Sequence, residues 1–221
     1  MDFKRIKRLA AFCASLVIGS AFLGSGAGCA QGNSYEDFFI AVRNDNASVV
    51  RDLLQRGFDP NTRTPAGQVG LTLAFLEDSP KAAQLLLARP DLNLDVLNAA
   101  GESALMLAAL KGNLPAVSAL LDRGARVNQP GWSALHYAAT GPQVQAVQML
   151  LDRGARINAA APNGSTPLMM AAQYGPQASV ELLLERGADR AQRTDKMLQA
   201  VDFARQAGRD DVVRMLERFG R

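Results

Sequence analysis

The chain has few of the residues on which catalysis and metal binding most often depend. Its 221 residues include one histidine, one tryptophan and two cysteines. Zinc sites are built mainly from cysteine and histidine, and a Cys/His nucleophile needs both residues. Cys13 lies inside an N-terminal apolar run and Cys29 lies in the short tail after it. Neither set can be assembled around His136, so the sequence predicts no metal site and no cofactor.

The chain also lacks a basic excess outside its N-terminus. The formal net charge is +3 and the isoelectric point is about 9.1. Lys4, Arg5, Lys7 and Arg8 cluster before the apolar run, and Asp2 is the only acid near them. The rest of the chain carries equal numbers of basic and acidic residues. A nucleic-acid-binding protein needs a clustered basic face, so no nucleic-acid partner is expected.

Residues 1–30 are typical of a secretory signal peptide. A basic start is followed by the apolar run Leu9–Leu23 and the small-residue tail Gly24–Ala30. The run is shorter than the roughly twenty residues of a membrane-spanning helix, which favours cleavage over an uncleaved membrane anchor. Lipid modification of Cys29 is a third option, although the bacterial lipoprotein motif has leucine where this chain has Gly26. The sequence thus predicts a periplasmic or secreted protein, with membrane anchoring as the alternative.

One unit recurs along the rest of the chain. Its complete copy, Gly101–Asn128, reads GESALMLAALKGNLPAVSALLDRGARVN, and further copies begin at Gly131 and Gly164. Leu135 follows its counterpart by 30 residues, and later copies are spaced by 33. A period of this length indicates a stacked repeat protein. The shorter spacing predicts that the loop before Trp132 is cut back.

Each unit predicts two short helices. Ser103 can cap the first helix and Gly112 can end it; Pro115 can open the second and Gly124 can end that one. A single helix pair cannot bury its own apolar stripe, so the copies must stack.

These units resemble ankyrin repeats. The positions that match the family pattern directly in one copy are Gly164, Thr166, Pro167, Leu168, Ala171, Ala172, Gly175, Val180, Leu183, Leu184, Gly187 and Ala188. The resemblance implies an all-α ankyrin repeat solenoid of about six helix-turn-helix repeats over residues 31–221. The repeats fall approximately at 34–62, 63–97, 98–128, 129–160, 161–193 and 194–221, with an atypical first repeat and a polar last repeat as end caps.

His136 occupies the family's histidine position. There the resemblance implies a hydrogen bond to backbone between repeats, and not a general base or a ligand. Carboxylates recur beside arginines after the leucine pair, as in Asp122-Arg123 and Asp152-Arg153, and are interpreted as a solvated edge. No enzyme signature is present, so the protein is not expected to be an enzyme.

The resemblance also implies where a partner binds, because ankyrin repeats use their concave face and the bases of their finger loops. Leu76, Leu110, Trp132 and Tyr174 are predicted to form an apolar strip. The polar residues expected beside it are Glu77, Glu102, Lys111, Thr140 and Gln173. Apolar and aromatic anchors with a polar rim are typical of protein interfaces. The alternative is that Trp132 packs on its own shortened loop and Leu110 fills a local gap.

The sequence therefore predicts a monomeric, non-catalytic module that binds a protein partner. Two other interpretations stay open. One is a membrane-tethered lipoprotein adaptor, which depends on Cys29, and the other is an inhibitor or immunity protein that covers a partner enzyme.

Overall fold

A computed structural model of the chain describes residues 34–219. In this range the secondary structure is twelve α-helices and one isolated β-bridge, between Arg63 and Val69. In chain order the helices are α1 (Ser34–Arg43), α2 (Ala47–Gln55), α3 (Gly70–Leu76), α4 (Pro80–Leu87), α5 (Ala104–Lys111), α6 (Leu114–Asp122), α7 (Ala134–Thr140), α8 (Val144–Asp152), α9 (Pro167–Tyr174), α10 (Gln177–Glu185), α11 (Ala200–Gln206) and α12 (Asp210–Arg218).

The helices pack as a two-layer stack. Each odd-numbered helix contacts the even-numbered helix that follows it and the odd-numbered helices of the adjacent repeats, and the even-numbered helices from α2 to α10 contact one another in succession. We call the odd-numbered set the inner helices and the even-numbered set the outer helices. The predicted all-α solenoid of helix-turn-helix repeats is confirmed.

Local capping explains where these helices begin. The Ser103 hydroxyl accepts a hydrogen bond from the Met106 N–H at 3.3 Å, and Thr166 accepts one from Met169 in the same way. Helix α6 begins at Leu114 and not at Pro115, because the Asn113 side chain accepts the Ala116 N–H at 3.1 Å. The sequence therefore predicted this helix start to within one residue.

Small residues let the inner helices approach closely. The alanine pairs Ala138-Ala139 and Ala171-Ala172 are fully buried. A Cβ atom added to Gly175 would lie 1.9 Å from the Ala139 carbonyl oxygen. Glycine is required at this position because the backbones of two repeats meet there.

Aromatic rings close the first repeat. Phe38 stacks on Phe58 with ring centroids 4.5 Å apart and meets Phe39 edge-on at 5.2 Å. A Cβ atom added to Gly70 would lie 2.8 Å from the Phe38 ring. Glycine at the first position of α3, where α9 has Pro167, therefore leaves room for this bulkier repeat.

Short polar side chains link the repeat ends. The Asn61 side chain donates to the Asp91 carbonyl at 2.8 Å and accepts the Asn93 N–H at 2.7 Å. Asn128 accepts the Arg156 N–H at 2.9 Å in the same manner. The asparagine that ends these units thus holds the next repeat in register.

Candidate protein-binding surface

The four residues of the predicted apolar strip are partly exposed. Leu76, Leu110 and Tyr174 lie at the ends of the inner helices α3, α5 and α9, and Trp132 lies just before α7. Each packs against the core on one side and retains some solvent exposure. The strip therefore combines fixed positions with accessible apolar surface.

Most of the predicted polar neighbours are also accessible. Glu77, Thr140 and Gln173 are half-buried. The Lys111 ammonium donates to both carboxylate oxygens of Asp78, at 3.0 and 2.9 Å. Asp78 was not among the predicted residues. Its ion pair with Lys111 joins the third repeat to the second.

Glu102 is not a surface residue, and its prediction as an exposed rim residue is wrong. It is 6% exposed. The Tyr137 hydroxyl donates to one carboxylate oxygen at 3.0 Å, and the Asn98 amide donates to the other at 2.8 Å. Because these donors satisfy the carboxylate, it can stay buried at the base of its finger loop.

The buried carboxylate also affects its tyrosine partner. Burial and the nearby charge of Glu102 raise the pKa of Tyr137 well above its usual value. Tyr137 therefore stays protonated and acts as a hydrogen-bond donor. The pair links the third and fourth repeats.

The only histidine joins three segments. His136 Nδ1 accepts the Ser133 N–H at 3.1 Å, and Nε2 lies 3.0 Å from the Ser165 carbonyl oxygen. The Trp132 ring meets the imidazole edge-on, with centroids 5.3 Å apart. The predicted backbone bond between repeats is present, and the imidazole also packs against the Trp132 ring.

Burial keeps this imidazole neutral. It lowers the pKa of His136 to about 4, although backbone bonds at Ser165 and Ala159 act in the opposite direction. With Nδ1 accepting a hydrogen bond, the neutral ring carries its proton on Nε2 and donates it to Ser165. His136 is therefore a structural link, because the neutral ring has both of its nitrogens engaged in hydrogen bonds.

The first and last finger loops share one turn geometry. In the first loop the Thr64 N–H donates to the Gln68 carbonyl at 2.9 Å, and in the last the Thr194 N–H donates to Leu198 at the same distance. The turns place Gly67 and Met197 in the left-handed region, with φ of 73° and 62°. Met197 is 64% exposed, so the last loop presents an apolar side chain where the first presents glycine.

Arginines form a ladder along the outer helices. Arg153 pairs with Asp122 of the preceding repeat, and Arg186 pairs with Asp152 at 3.1 Å. Hydrogen bonds from Arg153 and then Ser118 lower the pKa of Asp122. These carboxylates and arginines are exposed, as predicted. The sequence did not indicate that their ion pairs connect successive repeats.

Residues 34–219 contain no group of three or more candidate metal ligands and no helix that could span a membrane. The predicted signal peptide and Cys29 lie outside this range, so their roles remain predictions.

Comparisons with known proteins agree with this geometry. The sequence matches the family description "Ankyrin repeats (3 copies)" over residues 38–130, 71–161 and 127–195. No match was found among curated proteins.

Three solved structures illustrate the likeness. A chain in the complex of a predatory endopeptidase from Bdellovibrio bacteriovorus with an immunity protein is 25% identical, with a TM-score of 0.71 over 82% of this chain and 97% of that chain. The ankyrin repeat domain of Bcl-3, from the IkappaB protein family, is 31% identical, with a TM-score of 0.64 over 80% and 81%. An ankyrin repeat domain from Acinetobacter baumannii AYE is 24% identical, with a TM-score of 0.69 over 83% and 97%.

Proposed function

This chain belongs to the ankyrin repeat family, and from that premise we propose that it is a non-catalytic module that binds a partner protein through its concave face. Ankyrin repeats are protein–protein interaction modules. The observation that carries the proposal is the partly exposed strip of Leu76, Leu110, Trp132 and Tyr174 on a rigid stack of helices. Aromatic anchors in such positions dominate the energy of many interfaces.

A capture experiment tests the strip. The full chain is compared with a Trp132→Ala, Tyr174→Ala variant in a pull-down from periplasmic extract, and circular dichroism checks that both fold. The control variant, Gln177→Ala with Glu181→Ala, changes exposed residues on the outer helix α10. We expect one partner to be captured by the wild type and the control but lost by the strip variant. Equal capture by all three would place the binding site elsewhere.

Export to the periplasm is part of the proposal. It is supported by the basic start, the apolar run Leu9–Leu23 and the small-residue tail of residues 1–30. Cell fractionation and N-terminal sequencing of the mature protein test it. A Cys29→Ser variant tests the lipid-anchored alternative, since only a lipoprotein would move from the membrane to the soluble fraction on this change.

A second candidate function is inhibition of a partner enzyme. It is supported by the likeness to a chain in an endopeptidase–immunity protein complex, which extends over 97% of that chain. If the captured partner is an enzyme, adding the wild-type chain will lower its activity and adding the strip variant will not. If neither protein changes the activity of the enzyme, the inhibitor hypothesis is wrong and a scaffold role is the one that stays.

A further inference from the structure

One junction between repeats contains a docked guanidinium group. Arg209, the residue that caps α12, donates to the carbonyl oxygens of Ala171 and Ala172 at 2.8 and 3.1 Å. These carbonyls belong to the inner helix α9 of the preceding repeat. Carbonyl groups at the end of a helix carry partial negative charge and favour a cation.

At three other junctions, different groups of the next repeat contact the C-terminal end of the inner helix. At the first, the Ser79 hydroxyl donates to the Arg43 carbonyl at 3.3 Å. At the third, a Cβ atom added to Gly141 would lie 2.6 Å from a carbonyl oxygen of α5, and at the fourth, one added to Gly175 would lie 1.9 Å from a carbonyl oxygen of α7. In each case the next repeat itself meets the end of the inner helix.

The second junction, between α3 and α5, leaves a crevice of about 200 Å³. Its lining includes Ala74, Phe75, Asp78, Ser79, Lys111 and Asn113. Ala74 and Phe75 occupy the positions in α3 that Ala171 and Ala172 occupy in α9. Asn113 caps the outer helix as Arg209 does, but it is shorter and bonds the Ala116 N–H of its own helix.

The crevice suits a single planar cation. It is smaller than the roughly 300–1,000 Å³ pockets that hold whole small-molecule ligands, so a side chain is the appropriate size. The Asp78 carboxylate, 75% exposed, stands among the lining residues, and a carboxylate pairs with guanidinium through two parallel hydrogen bonds.

Lys111 is the competing cation. Its ammonium bonds both oxygens of Asp78. An ammonium on a flexible stem is a point charge, whereas a guanidinium combines a fixed fork of donors with weaker hydration. An arriving guanidinium can therefore share or take over the Asp78 carboxylate while it also reaches the carbonyls of α3.

We propose that the crevice between the second and third repeats binds an arginine side chain, in the manner in which Arg209 docks on α9. The arginine belongs to the partner protein, and in that respect the inference rests on the proposed function.

A peptide titration tests the site without the partner. The full chain is titrated with a blocked Gly-Arg-Gly peptide, and amide signals are followed by ¹H–¹⁵N correlation spectroscopy. A peptide with citrulline, the neutral isostere of arginine, is the control. We expect saturable shifts at Phe75, Asp78 and Ser79 with the arginine peptide only. No saturable shift, or equal shifts with both peptides, would overturn the proposal.

Three variants sharpen the test. Asn113→Arg places a guanidinium at the position of Arg209 and is expected to abolish peptide binding at the crevice. Asp78→Asn keeps the Asn113 cap and is expected to weaken binding about tenfold, equivalent to ~1.4 kcal/mol. Arg209→Ala should open a second site with shifts at Ala172. Unchanged affinity in both Asn113→Arg and Asp78→Asn would refute the crevice as the site.

The two proposals fail independently. If the peptide does not bind but the partner is captured through Trp132 and Tyr174, the crevice proposal alone is wrong. If the peptide binds but the wild-type chain captures no partner, the proposed function is wrong and a guanidinium site remains.

Discussion

The imidazole of His136 lies 3.0 Å from the carbonyl oxygen of Ser165 and thereby joins the fourth repeat to the fifth. Met106 and Met169 take the same position in the neighbouring repeats. Each of these methionine sulfur atoms lies 3.4 Å from the backbone N–H of the capping residue three positions earlier. Only the histidine has a second nitrogen that donates across to the next repeat. This makes the fourth repeat the place where one side chain couples local capping to stacking.

The pH dependence of stability follows from this burial. The pKa of His136 falls from 6.5 to about 4 in the folded chain, so the unfolded chain binds a proton that the folded chain does not in this range. Keeping His136 neutral therefore does not reduce the unfolding free energy above pH ~6.5. As the pH falls toward ~4, the unfolding free energy decreases by at most roughly 3 kcal/mol from this residue.

A His136→Met variant isolates this effect, because carboxylates also titrate below pH 6. Urea unfolding is measured at neutral and mildly acidic pH in both proteins. At neutral pH the unfolding free energy of the variant should be ~1 kcal/mol lower, because the hydrogen bond to Ser165 is missing. As the pH is lowered, its unfolding free energy should fall less steeply than that of the wild type. Parallel pH profiles would contradict the assignment.

The buried pair of Tyr137 and Glu102 is expected to be strongly coupled. Tyr137→Phe removes one donor from a buried carboxylate and should cost roughly 1–3 kcal/mol of unfolding free energy. Glu102→Gln, measured alone and with Tyr137→Phe, completes a double-mutant cycle. Tyr35→Phe is the matched control, since its hydroxyl bonds the Arg63 carbonyl at 3.0 Å in a more exposed place. Additive losses at Tyr137 and Glu102 would argue against the direct bond.

Patterns local to one unit were predictable from the sequence. Ser103 was identified as a cap and His136 as a link between repeats, because the first depends on neighbours a few residues away and the second on a position shared by the whole family. The solenoid followed from the same patterns, since an apolar stripe on a helix pair needs a neighbouring copy.

Contacts between repeats were harder to predict. A charged residue at a finger base is expected to face solvent, and the burial of Glu102 depends in part on Tyr137, a donor 35 residues later in the next repeat. The carbonyl contacts of Arg209 and the pairing of Arg153 with Asp122 likewise depend on how closely the copies stack. The strip itself has suitable exposure, and its role in binding stays a prediction.

Close packing of the inner helices makes a sharp prediction about glycine. Gly175→Ala places a Cβ atom 1.9 Å from a backbone oxygen, so the two repeats must separate, and we expect a loss of about 3 kcal/mol or more. Gly154→Ala is the control: its added Cβ meets nothing within 4 Å, and only its φ of +79° is unfavourable for alanine. That variant should lose ~1 kcal/mol. If Gly175→Ala and Gly154→Ala lose the same stability in thermal and urea unfolding, the junction between the repeats can relax around the added Cβ atom.

The last finger loop is expected to carry removable backbone strain at Met197. Its φ of 62° is in the left-handed region, which costs a residue with a Cβ atom roughly 1–2 kcal/mol. Met197→Gly should therefore raise the unfolding free energy, by about 0.5–1 kcal/mol after the greater freedom of glycine in the unfolded chain is subtracted. Gly101→Met, at a turn with φ of 78° and open space around the added Cβ, should lower it by a similar amount. Opposite signs in urea unfolding support backbone strain as the cause, whereas a loss of stability in Met197→Gly would mean that the methionine side chain makes a stabilising contact.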